Sequence, residues 1–209
     1  VIAFNRPVDV AAAKEITSTF VEVVIAPGFA EDALAELKRK KDIRLLDVGP
    51  LSKATAEGYD LKKLVGGLIV QDRDLGTIKD IRALAVPTSR KPTEEEYAAC
   101  AFAWVVCKHV KSNAIIYGRP GEIVGIGAGQ MSRVDSVKLA VMKAQSPVKG
   151  CVMASDAFFP FRDGIDAAAE AGIACVIQTG GSIRDPEVTK AVDEHGMAMI
   201  LTGMRHFRH

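Results

Sequence analysis

The chain lacks paired cysteines. Cys100, Cys107, Cys151 and Cys175 form no C-x-x-C unit, and each stands in an apolar, helix- or strand-like stretch. That pattern excludes a disulfide scaffold and points to buried, reduced thiols in a cytoplasmic protein. Zinc chemistry fails on spacing: His109 is not part of H-x-E and no P-C-x-x-C exists, so no zinc is expected. Long apolar runs are absent too. No stretch approaches the roughly 18 residues of a membrane span and no signal peptide is visible, so no membrane partner is expected. Neither sign of charge is in excess. The 27 Lys plus Arg against 26 Asp plus Glu leave a net charge of +1, which offers nucleic acid nothing through bulk electrostatics. No P-loop and no G-x-S-x-G elbow occurs. An initial methionine is lacking as well. Val1 already opens a strand-like run, so the expectation is a chain that starts inside a fold, its N-terminal portion lying upstream.

What is present is enough apolar sequence for real cores: 48% hydrophobic residues over 209 positions suit one large domain or two small ones. Residues 1–5 and 21–26 read as strands around a helical stretch at 9–19. An amphipathic helix at 30–40, a strand at 43–48 and a hairpin-like segment at 64–71 follow. The basic run Lys38 to Lys41 suits the negative end of that helix. This βαβαβ order predicts a layered α/β sheet. Charge, two prolines and weak periodicity at 77–92 place a boundary there, dividing the chain into 1–88 and 89–209.

The second part opens on a capping box, Thr93 with Glu96. The helix it starts runs to about Val110, followed by strands at 114–117 and 123–128, a helix at 132–144 and a strand at 151–155. Asp163 is expected to cap the next helix, which Gly172 stops. A strand at 174–178, a helix opened by Asp185-Pro186 and a strand at 197–202 complete the chain.

With only 6% aromatics in the chain, Phe158, Phe159 and Phe161 crowded beside Asp156, Arg162 and Asp163 are unusual for a strand-to-helix turn. Two readings fit: a pocket for a flat, hydrogen-bonding ligand, or an aromatic plug of the core. Gly125, Gly127 and Gly129 have the spacing G-x-G-x-G, which is not the dinucleotide fingerprint, yet glycines before a helix bring amides close to an anion. Arg133, in the first turn of the next helix, opposes the helix dipole. An anionic ligand would explain it, and so would a surface ion pair with Asp135 or Asp163. Asn113 either closes a turn or steadies a developing oxyanion. Lys108-His109 reads as a structural helix end. The segment after the last strand is a frayed tail, or it emerges beside Phe158 to Asp163, where Arg205 could bind phosphate or carboxylate bidentately.

Six stretches together resemble one family: IAFNR from Ile2, IAPGF from Ile25, KSNA from Lys111, GIGAGQMSR from Gly125, SDAFFPFRD from Ser155 and the terminal RHFRH from Arg205. The chain is similar to the transformylase part of the bifunctional AICAR transformylase/IMP cyclohydrolase of purine biosynthesis. The resemblance implies transfer of a formyl group from 10-formyltetrahydrofolate to the amine of AICAR. It implies a three-layer α/β/α fold of two cytidine-deaminase-like subdomains, the first truncated here, working as a homodimer with sites at the subunit interface. Some members bind a monovalent cation. By motif, Asn113 resembles the asparagine at the formyl group. Phe158, Asp163 and Val134 resemble folate contacts, and Ser182 and Ile183 a second folate-contacting loop. Arg133 and Arg205 resemble arginines that hold the nucleotide, and Glu22 a substrate-binding carboxylate. Phe159 and Phe161 are expected in the core. The family's catalytic Lys-His pair, a further arginine, a folate-side aromatic and the cyclohydrolase domain lie outside this sequence. The alternative is a catalytically incomplete fragment that keeps folding, dimerisation and ligand binding.

Overall fold

The computed structural model describes residues 1–51 and 58–208, in two compact units, Val1–Arg73 and Asp74–His209. The first unit alternates β1 (Ile2–Ala3), α1 (Val10–Ser18), β2 (Val23–Ala26), α2 (Glu31–Leu37) and β3 (Arg44–Asp47), its three strands parallel in the order β1-β2-β3. Asp9 starts α1 by accepting the Ala12 amide at 2.8 Å, the expected behaviour of an N-cap carboxylate. Val24 and Ala26 of β2 join Ala13, Ile16, Ala33 and Leu37 from the two helices in a small core. A hairpin of β4 (Tyr59–Leu64) and β5 (Gly67–Asp72) follows, longer than the expected segment at 64–71, and it turns at Val65-Gly66.

The compact units divide at 73/74 instead of 88/89. Residues between those positions are tied into the second unit: the Leu201 amide donates to the Ala85 carbonyl at 2.9 Å, and the Met199 amide to Thr88 Oγ1 at 3.0 Å. Ile81, in a short 3-10 turn, is buried in the same core as Ala99, Ala103 and Trp104. Weak periodicity marked an irregular segment correctly, but irregular backbone can still be packed.

The second unit contains α3 (Glu94–Cys107), β6 (Ile115–Arg119), β7 (Glu122–Gly127), α4 (Arg133–Met142), β8 (Val152–Ser155), α5 (Asp163–Glu170), β9 (Cys175–Gln178), α6 (Asp185–Glu194) and β10 (Ala198–Leu201). The capping box forms as read, with Thr93 Oγ1 accepting from the Glu96 amide and Glu96 Oε2 from the Thr93 amide. The five strands are ordered β10-β9-β8-β6-β7. Strands β8, β9 and β10 are parallel; β6 runs antiparallel to both β8 and β7. Helices cover both faces, because the central strands are buried and apolar on both, successive side chains pointing to opposite sides. Ile115, Tyr117, Met153, Val176 and Met199 face the layer of α4, α5 and α6, whereas Ile116, Val152, Ala154, Ile177 and Ile200 face α3. The unit is a mixed sheet flanked by helices on both sides, the three-layer α/β/α arrangement expected.

Two glycines fix how closely α4 approaches the sheet. A Cβ on Gly127 would lie 1.9 Å from the Ser136 carbonyl oxygen, and one on Gly125 would lie 2.3 Å from that of Ala140. These glycines therefore seat a helix against a strand, as small residues do wherever backbones approach. Of the three glycines, only Gly129, at φ +68°, serves a turn.

Candidate functional site

The reversed strand β6 creates the site. Because it is antiparallel, its N-terminal end lies level with the C-terminal ends of its neighbours: Ile115 pairs with Gly127 on one side and Ser155 on the other. Asn113 just before β6, the start of α4 after β7, and the aromatic turn after β8 thereby meet at one sheet edge. A cleft of about 390 Å3 opens there, within the size range of small-ligand sites. Of the residues singled out in the sequence, Asn113, Arg133, Val134, Phe158, Asp163 and Arg205 all line it.

At its base lies a closed polar network. Arg133 is buried despite its charge, and Asp156 is completely so. Arg133 Nη1 donates to Asp156 Oδ1 at 2.5 Å and to Ser155 Oγ at 2.8 Å, while Nη2 donates to Asn113 Oδ1 at 2.9 Å. The second Asp156 oxygen accepts from Ser112 Oγ at 2.5 Å. Asn113 Nδ2 donates to the carbonyls of Gln130 at 2.9 Å and Met131 at 3.2 Å. Since a guanidinium can only donate and a carbonyl only accept, the carboxamide has one possible orientation. The surface ion pair of Arg133 with Asp135 or Asp163 is not formed: its partner is Asp156. An ion pair removed from water persists only with satisfied geometry of this kind. Arg133 keeps its Nε–H and one Nη2–H free of the hydrogen bonds of this network.

Asp156 was visible in the sequence only as one charge among several in the turn. Its burial comes from its place directly after β8, beneath α4, which local spacing does not encode. Ser112 and Ser155 were missed for the same reason.

The aromatic turn separates into roles. Phe159 is buried, its amide donating to Gln178 Oε1 at 3.1 Å. Its ring lies so close to Gly164 that a Cβ there would meet it at 2.6 Å. Phe158 is half-buried on the cleft wall. Phe161 was expected in the core and is not: it is 49% exposed, lines the cleft, and carries the Arg184 guanidinium 4.8 Å above its ring. Exposed Pro160 lies between Phe159 and Phe161.

Asp163 does not cap α5. Arg162 occupies the capping position in helical conformation, and its carbonyl already accepts from Ile165 and Asp166. Asp163 is the first helical residue, exposed, with Oδ1 accepting only the next amide, Gly164, at 2.8 Å. One carboxylate edge is therefore available to the cleft. Arg205 is exposed and stacked 5.1 Å over Phe207.

Three candidates lie elsewhere. Ile183 is fully exposed, and Ser182 Oγ accepts from the Arg184 amide at 3.1 Å in the loop before α6; neither lines the cleft. Glu22 belongs to the first unit, where it lines a separate shallow cleft with Lys40, Lys41 and Arg44. Lys108, beyond α3, donates to the Gly76 carbonyl at 2.9 Å. Among the described residues, no three His, Cys, Asp or Glu side chains converge as a metal site, and no helix is long and apolar enough to cross a membrane.

A family model described as the AICARFT/IMPCHase bienzyme matches residues 1–143. Over its whole length the chain is 55% identical, in a comparison of 220 residues, to the bifunctional purine biosynthesis protein PurH of Magnetococcus marinus. It spans 41% of that relative's length.

Proposed function

Because the chain belongs to the AICARFT/IMPCHase bienzyme family, with a role in purine biosynthesis, we propose that it carries the folate side and much of the nucleotide side of an AICAR transformylase centre. The observation that carries this reading is the convergence of Asn113, Arg133, Val134, Phe158, Asp163 and Arg205 on one cleft. The substrates are 10-formyltetrahydrofolate and AICAR, and the reaction moves the formyl group from the folate N10 to the AICAR amine.

The cleft suits such ligands. Phe158 offers a flat apolar wall to a pterin, Val134 an aliphatic contact, and the exposed Asp163 carboxylate accepts hydrogen bonds from an aminopyrimidine edge. Arg205 offers an exposed guanidinium to the nucleotide phosphate. Arg133, neutralised by Asp156, serves through directed N–H groups rather than net charge. Asn113 stands where a donor would meet the oxygen of the formyl group as charge develops on it. Its longer bond, to the Met131 carbonyl at 3.2 Å, is the one to be exchanged for that contact. Such a donor is typically worth roughly 3 kcal/mol of barrier. Ser182 and Ile183 serve as a second folate-contacting loop and Glu22 as a substrate carboxylate, and the working enzyme is a homodimer. The amine proton goes to the Lys-His pair that the resemblance implies.

A chain spanning 41% of its relative favours a narrower second reading, in which it folds and binds ligand while turnover needs the rest of the enzyme. Calorimetric titration with a folate analogue, beside a formyl-transfer assay, separates the two. In the complete enzyme, Asp163→Ala is expected to raise the folate Michaelis constant on the order of tenfold or more, the equivalent of one charge-assisted hydrogen bond. A variant that only melts a few degrees lower, with unchanged kinetics, removes Asp163 from the site.

A further inference from the structure

We infer that His206 is a positioning residue: its buried ring pins the C-terminal segment so that Arg205 projects into the cleft. The inference rests on the reading that Arg205 holds an anionic group of the substrate.

Beyond β10 the chain has no regular structure, yet residues 202–208 are held closely. The Thr202 amide donates to the Gln178 carbonyl, the His206 amide to that of Asp156, and Ser112 exchanges two bonds with Arg208. Successive side chains then take opposite sides. Arg205 and Phe207 line the cleft, whereas His206 lines a second cavity beside Trp104 and Lys108. His206 is 1% exposed. Its Nδ1 lies 2.6 Å from Asp74 Oδ2, and its ring stands 4.9 Å from that of Trp104. A carboxylate only accepts, so Nδ1 carries the hydrogen. Burial alone would push the Asp74 carboxyl up. The hydrogen bond from His206, with Lys108 and the Gly76 amide, outweighs that and holds it below its ordinary value.

Arg205 has no comparable fixture. Among the described residues, its guanidinium lies over the neighbouring ring of Phe207 and pairs with no carboxylate. A long side chain of this kind is placed by its backbone, and ordering it otherwise costs rotamer freedom. The period-two alternation makes the anchor decisive. A slip of one residue would turn Arg205 toward Asp74 and Trp104 and put His206 in the cleft, as a register slip does in any extended segment.

The test uses the complete enzyme, with steady-state kinetics for AICAR and amide hydrogen exchange at residues 204–208. Arg205→Ala is expected to raise the Michaelis constant for AICAR on the order of tenfold to a hundredfold, the equivalent of a lost charge-assisted contact. His206→Ala should raise it in the same direction with kcat within about twofold, and should speed exchange in the segment. The double variant should be no worse than Arg205→Ala alone, because both remove one interaction. His206→Asn, which keeps a donor for Asp74, should recover part of the loss. Should His206→Ala prove unstable, Asp74→Asn tests the same anchor. Multiplicative effects in the double variant, or unchanged exchange in His206→Ala, overturn the inference while leaving Arg205 its role. An Arg205→Ala variant with unchanged kinetics overturns both.

Discussion

Replacing Gly127 with alanine tests how the site is held. The added Cβ would lie 1.9 Å from the Ser136 carbonyl oxygen, and real Cβ atoms essentially never come within 3.0 Å of such a neighbour. Helix α4 must therefore retreat by at least about 1.1 Å or β7 must move away. Neither is easy: Val137 and Ala140 of α4 are fully buried, and β7 is bonded along its length to β6. Arg133 begins that helix, and its bonds to Ser155 and Asn113, now 2.8 and 2.9 Å, would stretch beyond hydrogen-bond reach. Overpacking of about 1–3 kcal/mol plus one or two lost hydrogen bonds gives a cost of about 3–4 kcal/mol. With an m-value near 2 kcal/mol/M, the urea midpoint should fall by roughly 1.5–2 M. Gly67→Ala is the control, since nothing lies within 4 Å of a Cβ there, and it should change stability by less than about 0.5 kcal/mol. If the two variants unfold at the same urea concentration, close helix-to-strand packing is not what Gly127 provides.

Two further outcomes follow from side-chain environments. Arg162 donates to both Asp166 oxygens, and with help from His195 it draws that carboxyl from an ordinary 3.8 down to about 2. A depressed carboxyl stabilises the fold above its ordinary value and loses that contribution as pH falls through its folded value. The group is one-third exposed, so solvent screening limits the contribution to about 1 kcal/mol. Asp166→Asn should thus melt below the parent near pH 5 and match it near about pH 1.5; an equal gap at both removes the linkage. All four cysteines are buried, and burial, with the Cys175 sulfur 3.8 Å away, raises the Cys100 thiol well above its ordinary range. None should react with a disulfide reagent in the native state and all four should react in denaturant; prompt labelling of the folded protein would contradict that burial.

The elements were legible wherever local chemistry decides them. Asp9, the Thr93–Glu96 box, Asp185-Pro186 and the glycine stops are short-range signals, and the structure places helix ends within a few residues of them. Asp163 misled because the preceding turn is already helical, which no single residue announces. The meeting of Asn113, Arg133, Phe158 and Arg205 became visible through whole motifs, not spacing. The partners beneath them stayed hidden: whether Arg133 finds Asp156 or solvent depends on strand order, a property of the assembled sheet. Phe161 shows the converse, an aromatic left exposed at the cleft where a core position was expected.

The reversed strand β6 also orders events in time. Strands β8, β9 and β10 join through short helical crossovers, so their contacts are relatively local. Strand β6 forms a local hairpin with β7 but must also pair Ile115 with Ser155, forty positions away, and pairings that close longer loops carry the larger entropic cost. Until β6 is seated against β8, Arg133 lacks Ser155 and Asp156, and the cleft lacks its aromatic wall. A collapsed chain with most of its helices would therefore lack the assembled cleft. An assembled cleft thus marks molecules in which β6 and β8 have paired, a later stage of order than helix content alone records.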